Sequence, residues 1–465
     1  NGIIYSGPDL GGSTIDGTVT LGALHNNATT DGNTGRTTLR SRNGYGFVFT
    51  TLTTEGSTST STLHTRVNNE TGGTVVFTGN VTMPEGGTAS RPRQLIVLGN
   101  GNTVIQGSII AGSDTGKIFN KQGTGSLTIL GTGTTVAGTI SIEAGAIIAT
   151  DFRSLNNNSA TLSRGNATTT AGNLIIGTAT SPTAGGLTTS KTITLNATSA
   201  SNSIYASQPG SNPVILNGAI TKIAAATTGN LILGGTNTAD NIVNAVIPVE
   251  PTASTGGLLK LGSGTWVLNA ANTYLGATTI QNGVLKVRAT AAASDAIKSN
   301  GAITFSADST TQTSGGTLEF RGFLNAATTE DLGALTPTAG SATVRLLGYG
   351  SGSASLTFSS LGATTGASSV NFVTAEAGGG TVTLTGQAAT TATNLPGTAN
   401  FQGHLYLNGA DFAVIGGSGL VVAPVYADSG SFRNASDALV ASVHNKLTGS
   451  FTNGAVTVSS LVTKR

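Results

Sequence analysis

Short runs in which apolar residues alternate with threonine or serine recur along the whole chain, and they constrain its fold more than any other feature. Many runs end at Gly, Asn or Asp, as residues 127–130 and 193–195 do; residues 381–384 and 456–458 show the same alternation. A period of two, β-branched residues and glycine punctuation are typical of strands joined by tight turns. Because no segment keeps a period of 3.6 over three turns, we predict an all-β protein.

The composition excludes several other classes of protein. Charged residues make up only 9% of the chain, whereas ordinary soluble domains carry roughly a quarter. Hydrophobic residues reach 37%, which excludes the disordered class of low hydrophobicity and high charge. Because the net charge is +2, no long-range field attracts nucleic acid, and we predict no nucleic-acid partner. No apolar run approaches the ~18 residues of a membrane span, so we predict none in this chain.

Internal similarity distinguishes between the remaining β architectures. Residues 121–129 align with residues 260–268 at an offset of 139, and residues 141–145 align with residues 279–283 at an offset of 138. One residue of slippage in an intervening turn reconciles the two offsets. Strand-and-turn units that repeat in this way, and that cannot bury a face alone, are typical of stacked solenoids.

A β-solenoid also accounts for the many Gly and Thr residues. Each coil pairs its backbone with the coils above and below at about 4.8 Å, so Val, Ile and Leu fill the core while Thr and Ser face water. Thr favours strands and can hydrogen-bond between rungs, and Gly adopts the positive φ of tight corners. We therefore predict a right-handed parallel β-helix or β-solenoid with coils of roughly 20 to 25 residues, in which the terminal segments can be irregular or sandwich-like.

The second of the two aligned stretches resembles the autotransporter-associated β-strand repeat, which is found in passenger regions of bacterial surface proteins. The resemblance depends on the following residues: Lys260, Gly262, Gly264, Thr265, Leu268, Asn272, Thr273, Tyr274, Gly276, Thr278, Thr279, Ile280, Asn282, Gly283 and Leu285. The first stretch departs from the pattern, because it lacks Asn-Thr-Tyr and has Thr134-Thr135-Val136. The resemblance implies a right-handed parallel β-helix on the outside of a bacterium.

The repeat predicts a structural role for its residues and divides the chain into three parts. We expect the glycines at corners or tight approaches of the coil and the large apolar side chains pointing inward; the full set is Lys260, Gly262, Gly264, Trp266, Leu268, Tyr274, Ile280, Gly283 and Leu285. Residues 116–300 form the predicted solenoid core that carries the two clearest repeats. Residues 1–115 and 301–465 form N-terminal and C-terminal β-rich segments.

No constellation of residues has catalytic or metal-binding spacing. The four His residues are far apart in sequence, and no nucleophile elbow is present. Parallel β-helices that cleave polysaccharides use paired carboxylates, but the only adjacent acids are Glu330 and Asp331. Asp295, Asp308 and Asp331 are close enough in sequence to converge on successive rungs. We predict no enzyme activity, no cofactor and no metal; a polysaccharide lyase or hydrolase is the least favoured alternative.

Six arginines are concentrated in the first hundred residues. They would form an anionic-glycan or partner patch if they were uncompensated, but six acids in the same region cancel their charge, which favours local salt bridges. The arginines are Arg36, Arg40, Arg42, Arg66, Arg91 and Arg93.

The two ends of the chain are strand-like rather than polar and helical, as the caps of a solenoid would be. Strands at open ends add readily to a neighbouring sheet, so we predict head-to-tail assembly into an extracellular or cell-surface filament. The predicted assembly residues are Ile3, Ile4, Tyr5, Val456, Val458, Leu461 and Val462. The protein itself is therefore the predicted partner. A monomeric adhesin that binds host or matrix glycans is the alternative.

Overall fold

The computed structural model of the chain describes most of the predicted repeat region. The residues that it describes are 2–6, 18–28, 35–41, 45–56, 63–83, 93–111, 117–156, 160–162, 172–177, 187–195, 201–207, 211–222, 229–248, 256–298, 301–307, 315–362, 368–376, 378–387, 404–409, 411–424, 432–435, 444–447 and 460–463. They divide into two compact units. Unit 1 comprises Asn1–Leu258 and Ser263–Trp266, and unit 2 comprises Leu259–Gly262 and Val267–Arg465. The segment bounds that the sequence suggests at residues 115 and 300 stay a prediction.

Unit 1 consists of short strands and one 3₁₀-helix, Phe152–Leu155. The strands are β1 Gly2–Ser6, β2 Thr18–Leu21, β3 Leu24–Ala28, β4 Gly35–Ser41, β5 Gly46–Phe49, β6 Leu52–Gly56, β7 Leu63–Glu70, β8 Val75–Phe77, β9 Val81–Thr82, β10 Arg93–Gly99, β11 Thr103–Ile105, β12 Ile109–Ile110, β13 Lys117–Lys121, β14 Ser126–Ile129, β15 Ile140–Ile142, β16 Gly145–Ala149, β17 Ala160–Leu162, β18 Gly172–Ile176, β19 Thr188–Thr189, β20 Ile193–Leu195, β21 Asn202–Ala206, β22 Ile215–Leu216, β23 Ile220–Lys222, β24 Leu231–Gly235 and β25 Asn241–Val243. Two further strands, β26 Leu258–Lys260 and β27 Thr265–Leu268, have residues in both units.

The strands of unit 1 stack into parallel sheets, one strand of each sheet per coil. One sheet has the order β1-β4-β7-β10-β13-β15-β17-β20-β23, and a second runs β2-β5-β8-β11-β14-β16-β18-β21-β24. The strands β3, β6, β9 and β12 form a third side, and β19, β22 and β25 form a third side in later coils. The coil of unit 1 is therefore three-sided over much of its length. This stacking confirms the predicted β-solenoid, while its right-handed sense stays a prediction.

One column of residues shows how the core of unit 1 is filled. The column runs through the second sheet in consecutive rungs and every member is buried: Val75, Thr103, Leu127, Ile147, Leu174, Ile204 and Leu233. Stacked apolar side chains are thus removed from water along the coil axis. The rungs are less uniform than the sequence suggested: Ile147 follows Leu127 by 20 residues, but Ile204 follows Leu174 by 30. The expected coil length of roughly 20 to 25 residues was too short, because insertions between strands lengthen some coils.

Like residues also stack directly between rungs of unit 1. The rings of Phe49 and Phe77 lie on adjacent rungs with centroids 5.5 Å apart. The hydroxyls of Thr194 and Thr221, also in register, are 3.0 Å apart. The predicted hydrogen bonding of threonine between rungs is confirmed at this pair.

Unit 2 has longer strands than unit 1. They are β28 Thr278–Ile280, β29 Val284–Arg288, β30 Ala293–Ser294, β31 Ile303–Phe305, β32 Thr317–Arg321, β33 Thr328–Pro337, β34 Gly340–Leu347, β35 Ala354–Leu361, β36 Ser368–Val373, β37 Gly379–Leu384, β38 His404–Leu407, β39 Asp411–Phe412, β40 Val414–Ile415, β41 Val421–Val422, β42 Phe432–Ala435, β43 His444–Leu447 and β44 Ser460–Thr463. Two parallel sheets face each other within this unit: β28-β31-β33-β35-β37 and β29-β32-β34-β36-β38. The coil is therefore two-sided, as the predicted sandwich-like segment requires.

Antiparallel pairing follows the parallel coils of unit 2. β39 pairs antiparallel with β38, β40 pairs antiparallel with β41, and Thr383 of β37 forms an antiparallel bridge with Leu420. The strands β42, β43 and β44 form a separate parallel sheet. Sequence patterns gave no indication of the antiparallel strands, which lie against the edges of β37 and β38. Among the described residues, no helix has the length and apolarity needed to cross a membrane.

Candidate functional site

The predicted repeat residues lie on the strands β26 to β29 and in the turns between them. Trp266, Leu268, Ile280 and Leu285 are all buried, with at most 1% of each side chain exposed, which agrees with the inward orientation expected of them. The indole Nε1 of Trp266 donates a hydrogen bond to the carbonyl oxygen of Gly234 at 2.8 Å. The single tryptophan of the chain is therefore fully buried with its polar atom satisfied.

Lys260 lies inside the corner rather than at the surface. Its side chain is fully buried, and its Nζ donates hydrogen bonds to the carbonyl oxygens of Leu261 at 3.0 Å, Gly262 at 2.7 Å and Asn282 at 3.0 Å. The lysine therefore supplies the hydrogen-bond donor for carbonyl oxygens of the corner. An ammonium group has three N–H donors, so three acceptors match its capacity.

The aligned stretch in unit 1 contains the same arrangement. Lys121 is 1% exposed, and its Nζ donates hydrogen bonds to the carbonyl oxygens of Gln122 at 2.6 Å and Gly123 at 2.8 Å. Sequence reasoning included Lys260 in the repeat but did not foresee a buried, carbonyl-binding amine at either corner. The recurrence of Lys before x-Gly-x-Gly in both stretches was the signal that could have revealed it.

Burial changes the protonation of both lysines. Removal from water lowers the pKa of Lys260 to about 7 and that of Lys121 to about 8. A neutral amine near pH 7 is a potential nucleophile, but each Nζ is enclosed and bound to backbone carbonyls. We therefore interpret both groups as structural.

The glycines of the repeat lie where the prediction placed them. Gly262 and Gly283 have φ values of 71° and 66°, in the left-handed region that favours glycine. Gly264 has a close approach instead: a Cβ there would be 2.5 Å from the carbonyl oxygen of Asn237. These three positions are therefore corners or tight contacts of the coil.

The Asn-Thr-Tyr segment closes the same region of the repeat. The side-chain amide of Asn272 donates hydrogen bonds to the carbonyl oxygens of Ala270 and Ala296. The hydroxyl of the buried Tyr274 is 2.6 Å from that of Thr278, and burial raises the pKa of this phenol far above its ordinary value. Both side chains join the turn to neighbouring strands through buried hydrogen bonds, which are costly to leave unmade.

A family model described as the passenger-associated-transport-repeat matches residues 119–149 and 258–287. The chain carries two passenger-associated-transport repeats. The matched stretches are the two that contain the buried lysine corners, and the resemblance predicted from the sequence is confirmed. Among curated proteins and solved structures, nothing matches. The two matched stretches are similar to repeats of this family, and the family implies a secreted or surface-exposed protein.

The corner glycines of the two passenger-associated-transport repeats have matching backbone conformations, with the slippage expected from the sequence. At an offset of 139, Gly123 and Gly262 have φ values of 73° and 71°; at an offset of 138, Gly145 and Gly283 have values of 70° and 66°. The following aligned apolar pairs are buried in both repeats: Phe119 and Leu258, Leu127 and Trp266, Ile129 and Leu268, Ile142 and Ile280, and Ile147 and Leu285. One residue is therefore lost between the two corners, in the turn where the sequences differ most.

The predicted assembly residues lie on edge strands where the structure describes them. Ile3, Ile4 and Tyr5 belong to β1, and the side chain of Ile4 is half-buried. Leu461 and Val462 belong to β44. Val456 and Val458 lie outside the described residues. Their proposed role in assembly stays a prediction.

The acids singled out from the sequence lie on or beside two neighbouring strands, because Ser294, which precedes Asp295, is in register with Glu330. Glu330 is buried, and its Oε1 accepts a hydrogen bond from the backbone N–H of Ile297 at 2.8 Å; Asp331 and Asp295 are exposed, and Asp308 lies outside the described residues. Within the described ranges, no group of three His, Asp or Glu residues has the geometry to hold a metal ion. Glu330 therefore has a structural contact.

The salt-bridge interpretation of the arginines near the N-terminus is confirmed at Arg40. Arg40 Nε is 2.8 Å from an Oε atom of Glu70, and Arg93 is buried. The side chain of Arg36 is not among those described, and Arg42 and Arg91 lie outside the described residues.

Proposed function

We propose that this chain is a secreted or surface-displayed structural solenoid of bacteria with no catalytic activity of its own. The observation that carries the proposal is the pair of stretches that match the passenger-associated-transport-repeat, in a chain whose described strands pair in parallel coils. The conserved geometry of both repeats serves the coil itself: buried lysines bind corner carbonyls and glycines provide the turn.

Export is tested on the organism that makes the protein. Antibodies against the folded chain should label intact cells or the culture medium, and mild protease treatment of intact cells should remove the label. A cytoplasmic marker protein measured in the same samples is the control for lysis. Labelling that appears only after the cells are permeabilised would contradict the proposal.

The absence of catalysis is tested separately on the purified chain. Reducing-sugar release and the ultraviolet absorbance of unsaturated products are measured with a panel of acidic and neutral polysaccharides, with and without divalent cations. We expect rates equal to those of a heat-denatured sample. Cleavage above that background would support the polysaccharide lyase or hydrolase alternative.

We further propose that copies of the chain associate head to tail through edge strands. Among the described strands, β1 pairs only with β4, and β44 pairs only with β43. The outer edge of each strand presents backbone N–H and C=O groups that a strand of another copy can pair with. A contact between two different surfaces of the same chain propagates into a fibre unless its rotation closes a ring.

Assembly is tested by light scattering and negative-stain microscopy over a range of protein concentrations. We expect the mass to rise with concentration and the particles to lengthen in one direction. A variant that lacks residues 456–465, and with them all of β44, should remain monomeric while its far-ultraviolet circular dichroism keeps the same β signal. Filaments formed by that variant, or a monomeric intact chain at high concentration, would exclude this mode of assembly.

A second candidate function, glycan binding by an adhesin, is favoured by one observation. Half of the exposed large hydrophobic side chains of the described residues lie together beside two arginines in unit 2.

A further inference from the structure

An exposed cleft opens in unit 2 where three neighbouring strands of one sheet end. Strands β29, β32 and β34 are adjacent in this sheet, and each is followed by a turn at the same corner of the coil. The cleft has a volume of about 190 Å³. The side chains that line it are Asn269, Arg288, Arg321, Phe323, Leu324 and Tyr349.

The walls of the cleft are fixed by hydrogen bonds between two successive turns. The backbone N–H of Asn325 donates to the carbonyl oxygen of Tyr349 at 2.8 Å, and its Oδ1 accepts a hydrogen bond from the N–H of Ser351 at 3.0 Å. The N–H of Gly322 donates to the carbonyl oxygen of Leu347 at 2.9 Å. The turns are therefore held in place before any ligand arrives, which lowers the entropic cost of binding.

The charges on the outer face of this sheet form two columns of different character. In the first column the charges alternate in sign: Lys286 Nζ is 3.7 Å from Glu319 and Arg345 Nη1 is 3.4 Å from the same carboxylate, while Arg345 also binds Glu376 at 2.7 Å. This column is compensated within the protein.

The second column lies two residues further along the same strands. There Arg288 is in register with Arg321, so two cations occupy adjacent rungs. Like charges directly opposite in a sheet are destabilising. The lining of the cleft contains these two guanidinium groups and no carboxylate, so an anionic group is the ligand that complements the lining.

Arg321 is already oriented. Its guanidinium carbon lies 3.8 Å from the centre of the Tyr349 ring, within the range of a cation–π contact. A guanidinium group has several N–H donors that suit the two oxygens of a carboxylate or sulfate. The contact with Tyr349 therefore holds a group that can bind an anion beside the cleft.

Exposed apolar side chains adjoin this anion site. Phe323, Leu324 and Tyr349 are 40%, 47% and 41% exposed. Clustered exposed hydrophobics of this kind mark binding sites. Aromatic faces carry negative charge density and attract the weakly positive C–H groups of a sugar ring.

We propose that this cleft binds an acidic saccharide, with its carboxylate or sulfate on Arg288 and Arg321 and the C–H face of its ring on Phe323 and Tyr349. The amide of Asn269 supplies a donor and an acceptor for a sugar hydroxyl. The combination of two arginines, aromatic faces and an amide matches a ring that is charged at one edge and apolar on its faces. The site goes beyond the scaffold role and depends on neither export nor self-assembly.

The test measures binding by isothermal titration calorimetry to two matched pairs of probes. Oligogalacturonate is compared with its methyl ester, and dextran sulfate with dextran, so that carboxylate and sulfate sources are distinguished. We expect binding to one or both acidic probes and at least tenfold weaker binding to the neutral partner. Light scattering of the same samples records the state of assembly, so that a failure of the filament proposal is distinguished from a failure of this one.

Three variants locate the site. Arg321→Gln and Tyr349→Ala should each weaken binding at least tenfold, while Tyr349→Phe, which keeps the ring, should stay within about threefold. Lys286→Gln is the matched control, because it removes one positive charge from the compensated column of the same sheet face, and we expect less than a twofold change. Thermal denaturation of each variant verifies that it is folded.

Several outcomes would overturn the proposal. Equal losses for Arg321→Gln and Lys286→Gln would indicate non-specific attraction, and no binding to either acidic probe would exclude an acidic saccharide. Binding of poly-glutamate as tightly as oligogalacturonate would show that the sugar ring contributes nothing and would assign the cleft to acidic peptides.

Discussion

The two passenger-associated-transport repeats of the chain share their corner and differ in their interior. Lys121 and Lys260 are both buried and both bind corner carbonyls, through two hydrogen bonds in the first repeat and three in the second. At the position aligned with Trp266 the first repeat has Leu127, and both are fully buried. The Asn-Thr-Tyr segment of the second repeat is replaced by Thr134-Thr135-Val136 in the first.

The comparison shows which features the coil requires and which it can exchange. Two features recur in both repeats: a glycine with positive φ at each of two corners, and a lysine that donates to the corner carbonyls. Glycine adopts a positive φ at little steric cost, and buried carbonyl oxygens need a hydrogen-bond donor. The interior exchanges Leu for Trp, because a core tolerates different side chains when its volume is filled in another way. The hydrogen bonds of the turn also differ. In the first repeat Thr134 Oγ1 accepts a hydrogen bond from the N–H of Ile109 at 3.2 Å, whereas in the second repeat the amide of Asn272 donates to two carbonyl oxygens.

The largest difference between the repeats is expected at the buried tryptophan. Trp266→Ala should lower the free energy of unfolding by roughly 3–5 kcal/mol, because it leaves a large cavity and removes the donor for the Gly234 carbonyl oxygen. Leu127→Ala removes a smaller side chain with no polar atom, and we expect about 2–3 kcal/mol. Chemical denaturation monitored by circular dichroism measures both.

A surface threonine is the control for these core substitutions. Thr194→Ala removes one exposed hydroxyl contact with Thr221, for which we expect less than about 0.5 kcal/mol. A loss for Trp266→Ala that is no larger than this control would show that the repeat register assigned to Trp266 is wrong.

The second expected effect concerns the lysines. Lys260→Ala should cost about 2–3 kcal/mol, because three buried carbonyl oxygens lose their shared donor, and Lys121→Ala should cost about 1–2 kcal/mol, because two do. Urea titrations of the wild type and both variants at pH 6, where both amines are protonated and each has three N–H donors, provide the values. Equal costs at the two corners would mean that the number of carbonyl bonds does not determine the contribution.

Much of the fold could be predicted from the sequence because it depends on local patterns. Alternation of apolar and polar residues determines which side chains of a strand face the core, and it gave the inward orientation of Leu268 and Ile280. The aligned glycines gave the corners at Gly262 and Gly283, since a positive φ is a property of the residue and its turn.

Features that depend on the length of a coil could not be predicted. Arg288 and Arg321 are 33 positions apart and yet lie on adjacent rungs, which exceeds the coil length expected from the repeat. The number of sides of the coil and the antiparallel strands after β38 likewise depend on insertions that carry no periodic signal. The cleft in unit 2 was therefore invisible in the sequence, whereas the repeat corner was not.

The third expected effect is a rise in stability with pH. Burial lowers the pKa of Lys260 to about 7 and that of Lys121 to about 8, and the unfolded chain keeps the ordinary value of about 10.4. Above the folded pKa the unfolded state therefore holds more protons, so the free energy of unfolding increases with pH up to about 10.4 and this gain is absent below pH 7.

Between pH 7 and pH 9 the gain should be about 2 kcal/mol from Lys260 and about 1 kcal/mol from Lys121. Urea titrations at several pH values measure it, and Lys260→Met should abolish the larger part while Lys121→Met abolishes the smaller. A wild-type stability that is independent of pH across this window would show that both amines keep their proton in the folded state through the carbonyl bonds.

The smallest expected effect tests the corner conformation that both repeats share. Gly283 has a φ of 66° and the aligned Gly145 a φ of 70°, a region where a Cβ atom costs roughly 1–2 kcal/mol. Gly283→Ala should therefore destabilise the chain by about 1 kcal/mol. The effect of other residues should follow their tolerance of positive φ: Asn less than Ala, because Asn is enriched there, and Val more than Ala, because β-branched residues are outliers there. At Gly145 a Cβ would also lie 2.4 Å from the carbonyl oxygen of Gly125, so Gly145→Ala should cost more than the strain of the positive φ alone. An order of Asn, Ala and Val that follows hydrophobicity instead would mean that burial, and not the backbone, determines the choice of glycine at this corner.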